Sequence, residues 1–268
     1  MKNIDQNIAI LGAGNLGIAI AMGIVEKSLR SAGQIFLTRR STRHLERLGD
    51  KGYQVTDDNK LAVSSSKIII LCVQPGQLEF LLNDIGEHLT DKHVIVSVIT
   101  GIKIQEISGL IGEEIPVVRA MPNTSIAIGE SMTCISGNGN SKAYLEEIVH
   151  LFDALGKTLV IEESLMKAAT VLGASGVAFF MRYLRAATQG GIQMGFHPKE
   201  AQLIAVQTAG GAARLILESE NHPEVEIDKV TTPQGCTIEG LNEMEHQGFS
   251  SALIKGLMTS YHKINSIK

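Results

Sequence analysis

The sequence predicts an α/β protein in two parts: a doubly wound parallel sheet over residues 1–162 and an all-helical domain over residues 163–268. Three observations predict it. A glycine-rich turn follows the first apolar run. Short apolar runs then alternate with helical patterns as far as residue 162. Beyond it, strand signals stop and long stretches rich in Ala, Gly, Leu and Met take over. Strand–helix alternation argues for a parallel sheet covered on both faces.

Residues 7–11, NIAIL, form the first strand, followed at once by GAGNLG and a helical pattern to about Leu29. Residues 34–38, QIFLT, form the second. Residues 67–73, KIIILCV, are a continuous apolar run ended by Pro75, as expected of a strand buried on both faces. Residues 94–98 are another, before Gly101, and 117–121, 131–135 and 158–162 add shorter strands. In the second part, helical spacing runs over 164–194, 198–218 and 237–267, with Pro198 marking a helix start. Ala186, Ala187, Gly190, Gly191 and the run Ala209–Ala213 permit close helix packing. Faces this apolar in so small a domain predict a subunit interface, because large exposed apolar patches are otherwise a liability.

A chain of 268 residues has room for two domains. Its net charge of −4 gives no electrostatic reason to expect nucleic acid or an anionic membrane as partner. No uninterrupted apolar run reaches the ~18 residues of a membrane span, and the polar opening residues lack a signal-peptide pattern. Cys72, Cys134 and Cys236 are odd in number and widely spaced, so neither a disulfide framework nor a metal site is expected. A reducing, cytoplasmic setting follows. Cys72 reads as a small buried hydrophobe. No two histidines have metal-ligand spacing. His222, before Pro223, reads as a helix end, and Lys167 as a surface or interface residue.

Gly12, Gly14 and Gly17 fit GxGxxG between a strand and a helix, the context a Rossmann-type dinucleotide site requires. The end of the second strand reads Thr38, Arg39, Arg40, Ser41, with no carboxylate until Glu46. Guanidiniums and hydroxyls there suit a 2′-phosphate, so NADP(H) is expected to be preferred, with NAD(H) the weaker cofactor. No acid–base pair stands out. Ketone reduction needs a proton donor, whereas a protonated imine needs only hydride. The loop 230–245, VTTPQGCTIEGLNEME, reads as a turn into a helix start, able to hold a carboxylate on backbone N–H groups, with the Thr237 hydroxyl beside it. This combination favours a cyclic imino acid as the small-molecule substrate.

The motifs GAGNLG (12–17), TRRS (38–41), VQPGQ (73–77), VSVITG (96–101), VVRAMPNT (117–124), LGASGVAF (172–179), AVQTAGGAARLI (205–216) and HPEVEIDKVTTPQGCTIEGL (222–241) resemble pyrroline-5-carboxylate reductase over nearly the whole chain. The resemblance implies a helical domain that interlocks with a second subunit, giving homodimers and, in further assembly, decamers. It implies that Gly12, Ala13, Gly14, Asn15, Leu16, Gly17, Thr38, Arg39, Arg40, Asn59, Val73, Pro75, Val98 and Thr100 line the cofactor, with Glu163 near the nicotinamide. It further implies that Gly235, Cys236 and Thr237 cradle the substrate carboxylate. Thr237 would be the catalytic hydroxyl, with Ser175 and Gly176 as the facing wall. The chain departs from the family at Gln74, Lys167, Gly173, Ala174, Val177, Phe179, Gln234 and Cys236. Gln234 leaves open whether the loop keeps a positive-φ turn, which Gly adopts most freely. Rival readings are a reductase of another cyclic imine or a small 3-hydroxy acid, and a non-enzymatic NADPH-binding paralogue.

Overall fold

The computed structural model describes residues 7–264. The expectations for the polar residues 1–6 and for the last helix beyond 264 lie outside the described residues. The described residues fold as two compact units, residues 7–175 with 261–264, and residues 176–260. Residues 163–175, which sequence patterning groups with the helical part, therefore pack with the sheet.

The first unit is built on an eight-stranded sheet in the order β3-β2-β1-β4-β5-β6-β7-β8. Its strands are β1 Ile8–Leu11, β2 Ile35–Thr38, β3 Gln54–Thr56, β4 Ile68–Leu71, β5 Val94–Ser97, β6 Val117–Met121, β7 Ser131–Gly137 and β8 Gly156–Val160. Alternate residues of the buried strands face opposite layers. Ile8, Ile10, Ile68, Ile70, Val94 and Val96 join α1 (Asn15–Glu26), α2 (Glu46–Gly49) and α6 (Lys142–Asp153) on one side. Ala9, Leu11, Ile69, Leu71 and Ile95 join α3 (Asn59–Ser64), α4 (Leu78–Ile85) and α5 (Ile104–Ile111) on the other. Burial on both faces is what the unbroken apolar runs encode.

Three local differences from the sequence pattern have physical causes. β7 runs antiparallel to β6, because the link between them carries only a short 3-10 turn, Thr124–Ile128, and no crossover helix. β3 pairs with β2 at the sheet edge; it is half-buried and too short for an apolar signature. Helix α1 stops at Glu26, before Leu29, where Ser28 turns left-handed with φ 58°. The Leu29 N–H then donates to the Ile24 carbonyl and the Ser28 N–H to that of Val25, closing the helix end.

Residues 163–193 form one continuous helical stretch that changes type along its length. A turn of 3-10 helix, Glu163–Leu165, leads into α7 (Met166–Ala169), a π-helical segment Thr170–Ser175, and α8 (Gly176–Gln193). By length and composition this stretch is apolar enough to cross a membrane, and it is largely exposed. The absence of a long uninterrupted apolar run did not reveal it, because polar residues punctuate the stretch.

In the second unit α8 packs on α9 (Pro198–Ser219). A Cβ on Gly191 would meet the Ala201 Cβ at 2.9 Å, so the small residues do set a close approach there. α10 (Pro223–Val230) was not anticipated from the sequence. His222 does not end a helix; it starts this one, its Nδ1 accepting the Glu224 N–H at 3.3 Å. Gly248, with φ 79°, separates α11 (Cys236–His246) from α12 (Phe249–Ile264), where one long helix was expected.

Candidate functional site

β1 and β4 are neighbours, and the chain reaches β4 only after passing through β2 and β3. Strand order reverses here, and open α/β sheets bind ligands in the crevice beyond the carboxyl ends of strands at such a point. The glycine-rich loop leaves β1 at this crevice. The Gly12 and Ala13 N–H groups donate to the Thr38 carbonyl, at 3.2 and 2.8 Å, tying the loop to the end of β2. Gly12 has φ 88°, and a Cβ there would meet Val73 Cγ1 at 2.7 Å and the Cys72 carbonyl oxygen at 3.0 Å. Gly17 lies against Ile10, whose Cγ2 would be 3.0 Å from an added Cβ. Gly14 differs: a Cβ would meet only the Gly12 carbonyl oxygen, at 3.9 Å. One glycine serves the turn, one the helix–strand contact, and the third leaves an open approach to the backbone. Gly14 begins α1 with no side-chain cap, and no acidic residue lies in the first turn, where Asn15 and Leu16 sit. A pyrophosphate fits that cradle.

The other residues expected around the cofactor sit at the same strand ends. Thr38 is buried, and its hydroxyl donates to Asn59 Oδ1 at 2.6 Å, fixing the amide at the start of α3. Arg39 is half-buried and Arg40 exposed. Val73 and Pro75 follow β4, while Val98 and Thr100 follow β5, the Val98 N–H donating to the Leu71 carbonyl at 3.2 Å. Burial pushes the Cys72 thiol up to about 12, so it remains neutral and unreactive.

Glu163 is held by the protein itself. Its Oε1 accepts the Ile104 N–H at 2.7 Å and Arg119 Nη1 at 3.0 Å. Arg119 is buried within β6, and its Nε has no hydrogen-bond partner among the described residues. The sequence pattern does not single out this arginine as a site residue, although a lone Arg within the apolar strand VVRAM signals that a partner exists. Nor does it single out Asn123. Asn123 is buried at the end of β6 and binds three elements. Its Oδ1 accepts the Ser125 N–H at 2.9 Å, its own N–H donates to Ser131 Oγ at 3.0 Å, and its Nδ2 donates to the Gly173 carbonyl at 3.0 Å. Gly173 belongs to the π-helical segment that ends at Ser175, and Ser175 and Gly176 are half-buried.

The turn expected at residues 232–235 is formed in the second unit. The Gly235 N–H donates to the Thr232 carbonyl at 2.9 Å, with Pro233 and Gln234 at its corners. Gln234 has φ 58°, so the positive-φ turn is kept without a glycine. Gly235 is required for another reason, since a Cβ would strike the Thr232 side chain and lie 3.0 Å from its carbonyl oxygen. Gly235 caps α11 with no side chain turned onto the helix end, so the first N–H groups, including those of Cys236 and Thr237, have no capping side chain among the described residues. Cys236 is exposed and Thr237 half-buried. Lys167 is half-buried on α7, in the first unit.

Comparison with known proteins agrees with both halves. Residues 163–267 match the family described as pyrroline-5-carboxylate reductase dimerisation. Residues 7–101 match the family described as NADP oxidoreductase, coenzyme F420-dependent. The chain is 48% identical to pyrroline-5-carboxylate reductase 1 of Dictyostelium discoideum, matching 100% of this chain and 51% of that protein. It therefore spans about half of that relative's length. It is 43% identical to pyrroline-5-carboxylate reductase 2 of the same organism, matching 98% of this chain and 93% of that protein. Among solved structures, a pyrroline-5-carboxylate reductase from Coxiella burnetii superposes with a TM-score of 0.91 at 25% identity, covering 97% and 98% of the two chains.

Proposed function

The chain belongs to the pyrroline-5-carboxylate reductase family, and from that premise we propose that it is an NADPH-dependent oxidoreductase reducing 1-pyrroline-5-carboxylate to L-proline as a homo-oligomer. The observation that carries this reading is that each unit holds one anion cradle of its own: an open glycine loop at Gly14 in the first, and a helix start at Gly235 bearing no side-chain cap in the second. One suits a pyrophosphate and the other a small carboxylate.

Gly12, Ala13, Gly14, Asn15, Leu16 and Gly17 would hold the pyrophosphate. Thr38 and Asn59 would meet the ribose, and Val73, Pro75, Val98 and Thr100 would line the rest of the cofactor. Arg39 and Arg40 supply the positive charge for a 2′-phosphate. A charged hydrogen bond contributes about 1.5–3 kcal/mol, enough for NADPH to be preferred to NADH by roughly ten- to a hundredfold. When bound, the nicotinamide supplies a hydride. The protein's own work is to bind, orient and exclude water. The N–H groups of Cys236 and Thr237 would hold the substrate carboxylate, with Gly235 forming the floor of the cradle while its own N–H closes the turn on Thr232, and the Thr237 hydroxyl would accept a hydrogen bond from the iminium N–H. Ser175 and Gly176 close the opposite wall. The iminium already carries its proton, so no acid–base pair is needed, and positioning supplies most of the rate.

Oxidation of NADPH should occur with 1-pyrroline-5-carboxylate and be slower with a six-membered imino acid or a 3-hydroxy acid pair. Thr237→Ala should lower turnover at least about tenfold, the equivalent of roughly 1.4 kcal/mol, while leaving the fold intact. Full activity in that variant would remove Thr237 from the mechanism. Oxidation of the hydroxy acid alone would overturn the imine reading.

A further inference from the structure

We infer that Asn123 is a positioning residue for the substrate wall: its side-chain amide holds the π-helical carbonyl of Gly173 and so sets how Ser175 and Gly176 are presented. The inference rests on the reading of those two residues as that wall.

The geometry gives Asn123 two separable jobs. Its Oδ1 caps the short 3-10 turn after β6 through the Ser125 N–H. Its Nδ2 reaches fifty positions along the chain to the Gly173 carbonyl. The residue is buried, and its backbone N–H is fixed on Ser131 Oγ, which contacts Thr133 Oγ1 at 3.2 Å. The amide is thus a rigid donor mounted on the sheet. Its acceptor lies inside a π-helical segment, where i→i+5 pairing replaces the α-helical ladder and such segments recur at functional sites. One extra residue in a helical turn rotates everything after it by about 100° around the axis. The carbonyl held by Asn123 lies two residues before Ser175. Thr170 helps from the other end, its hydroxyl donating to the Met166 carbonyl at 2.8 Å, a back-bond that bends helices. Gly173 has open space where a side chain would project, so no side-chain packing fixes the segment at that point.

Asn123→Ser separates the two jobs. Serine is nearly as good a helix cap as asparagine but is too short to reach Gly173. The variant should fold, keep its Michaelis constant for NADPH within about twofold, and raise that for 1-pyrroline-5-carboxylate about tenfold, the loss expected of one hydrogen bond. Asn123→Asp, which retains the cap acceptor but sets an oxygen against the Gly173 carbonyl, should behave the same way and stands in if the serine variant fails to fold. Ser175→Ala, measured alongside, should also raise the imino-acid constant. If Ser175→Ala has its effect and neither Asn123 variant does, the positioning role is wrong and the wall reading survives. If Ser175→Ala has no effect, the wall reading fails and the inference with it. An equal rise in both Michaelis constants for an Asn123 variant would mean general loosening and would also overturn the proposal.

Discussion

At position 234 the chain uses a left-handed conformation with a glutamine, φ 58°, inside the turn that leads into α11. For an L-residue with a side chain this costs about 1–2 kcal/mol, and the Thr232–Gly235 hydrogen bond helps to hold it. Glycine would remove the steric cost while restoring roughly 0.5–1 kcal/mol of backbone entropy to the unfolded chain. Gln234→Gly should therefore change stability by no more than about 1 kcal/mol, in the stabilising direction. Gln234→Val puts a β-branched side chain in the same region and should cost at least about 1–2 kcal/mol. Denaturant midpoints of the three proteins check the order. A valine variant as stable as the natural protein would mean the turn relaxes to another conformation. Gly235 next door is constrained by crowding instead, which explains why one of the two adjacent positions tolerates a side chain and the other does not.

At the scale of elements, the ion pair between Arg119 and Glu163 ties β6 to the beginning of the helical stretch, and the same carboxylate takes the Ile104 N–H at the start of α5. Glu163→Ala leaves a buried guanidinium whose Nε already has no hydrogen-bond partner among the described residues. Breaking a buried pair costs about 3–5 kcal/mol, and the glutamate side chain is 31% exposed, so about 2–3 kcal/mol is expected after screening. Glu163→Gln keeps an acceptor for both donors and should cost about 1 kcal/mol. Urea unfolding reads both; an alanine variant of natural stability would show that the pair does not hold the helix to the sheet. The lone arginine in an apolar strand signals that a partner exists, but which residue it is was not legible, because the partners lie 44 and 59 positions apart. The inner strands were legible because burial on both faces writes an unbroken apolar run. The glycine loop was legible because its neighbours in sequence are its neighbours in space. β3 is three residues at an edge, α10 is short and half charged, and a π-helical turn has no composition of its own, so these were not. The positive φ at Gln234 had no local signal, since glutamine is not a residue that marks such turns.

For the molecule as a whole, the second unit raises the question of what covers it. Within residues 176–260 only Thr188, Gly191, Ala201 and Ala209 are buried. Leu203, Leu217, Val230, Ile254 and Met258 are exposed on several helices, Leu203 at 69% and Leu217 at 71%. Four small buried residues do not make a core that offsets the entropy of ordering so many helices. The missing burial must come from outside the unit. A lipid bilayer would be served by the long apolar stretch 163–193 alone, but it would not account for the exposed apolar side chains on α9 and α12. A second copy of the chain accounts for all three, in agreement with the dimerisation family matched over residues 163–267. Leu203 and Val206 lie three positions apart on one face of α9, both exposed. Replacing both with glutamate should weaken the homo-oligomer at least about thirtyfold, as losing an interface anchor of about 2 kcal/mol does. In sedimentation without detergent, the natural protein should have the mass of a dimer or a multiple of it, and the double variant that of a single chain. An unchanged mass in the variant would place the subunit contact on another face. A natural protein that stays in solution only with detergent would transfer the apolar surface to a membrane.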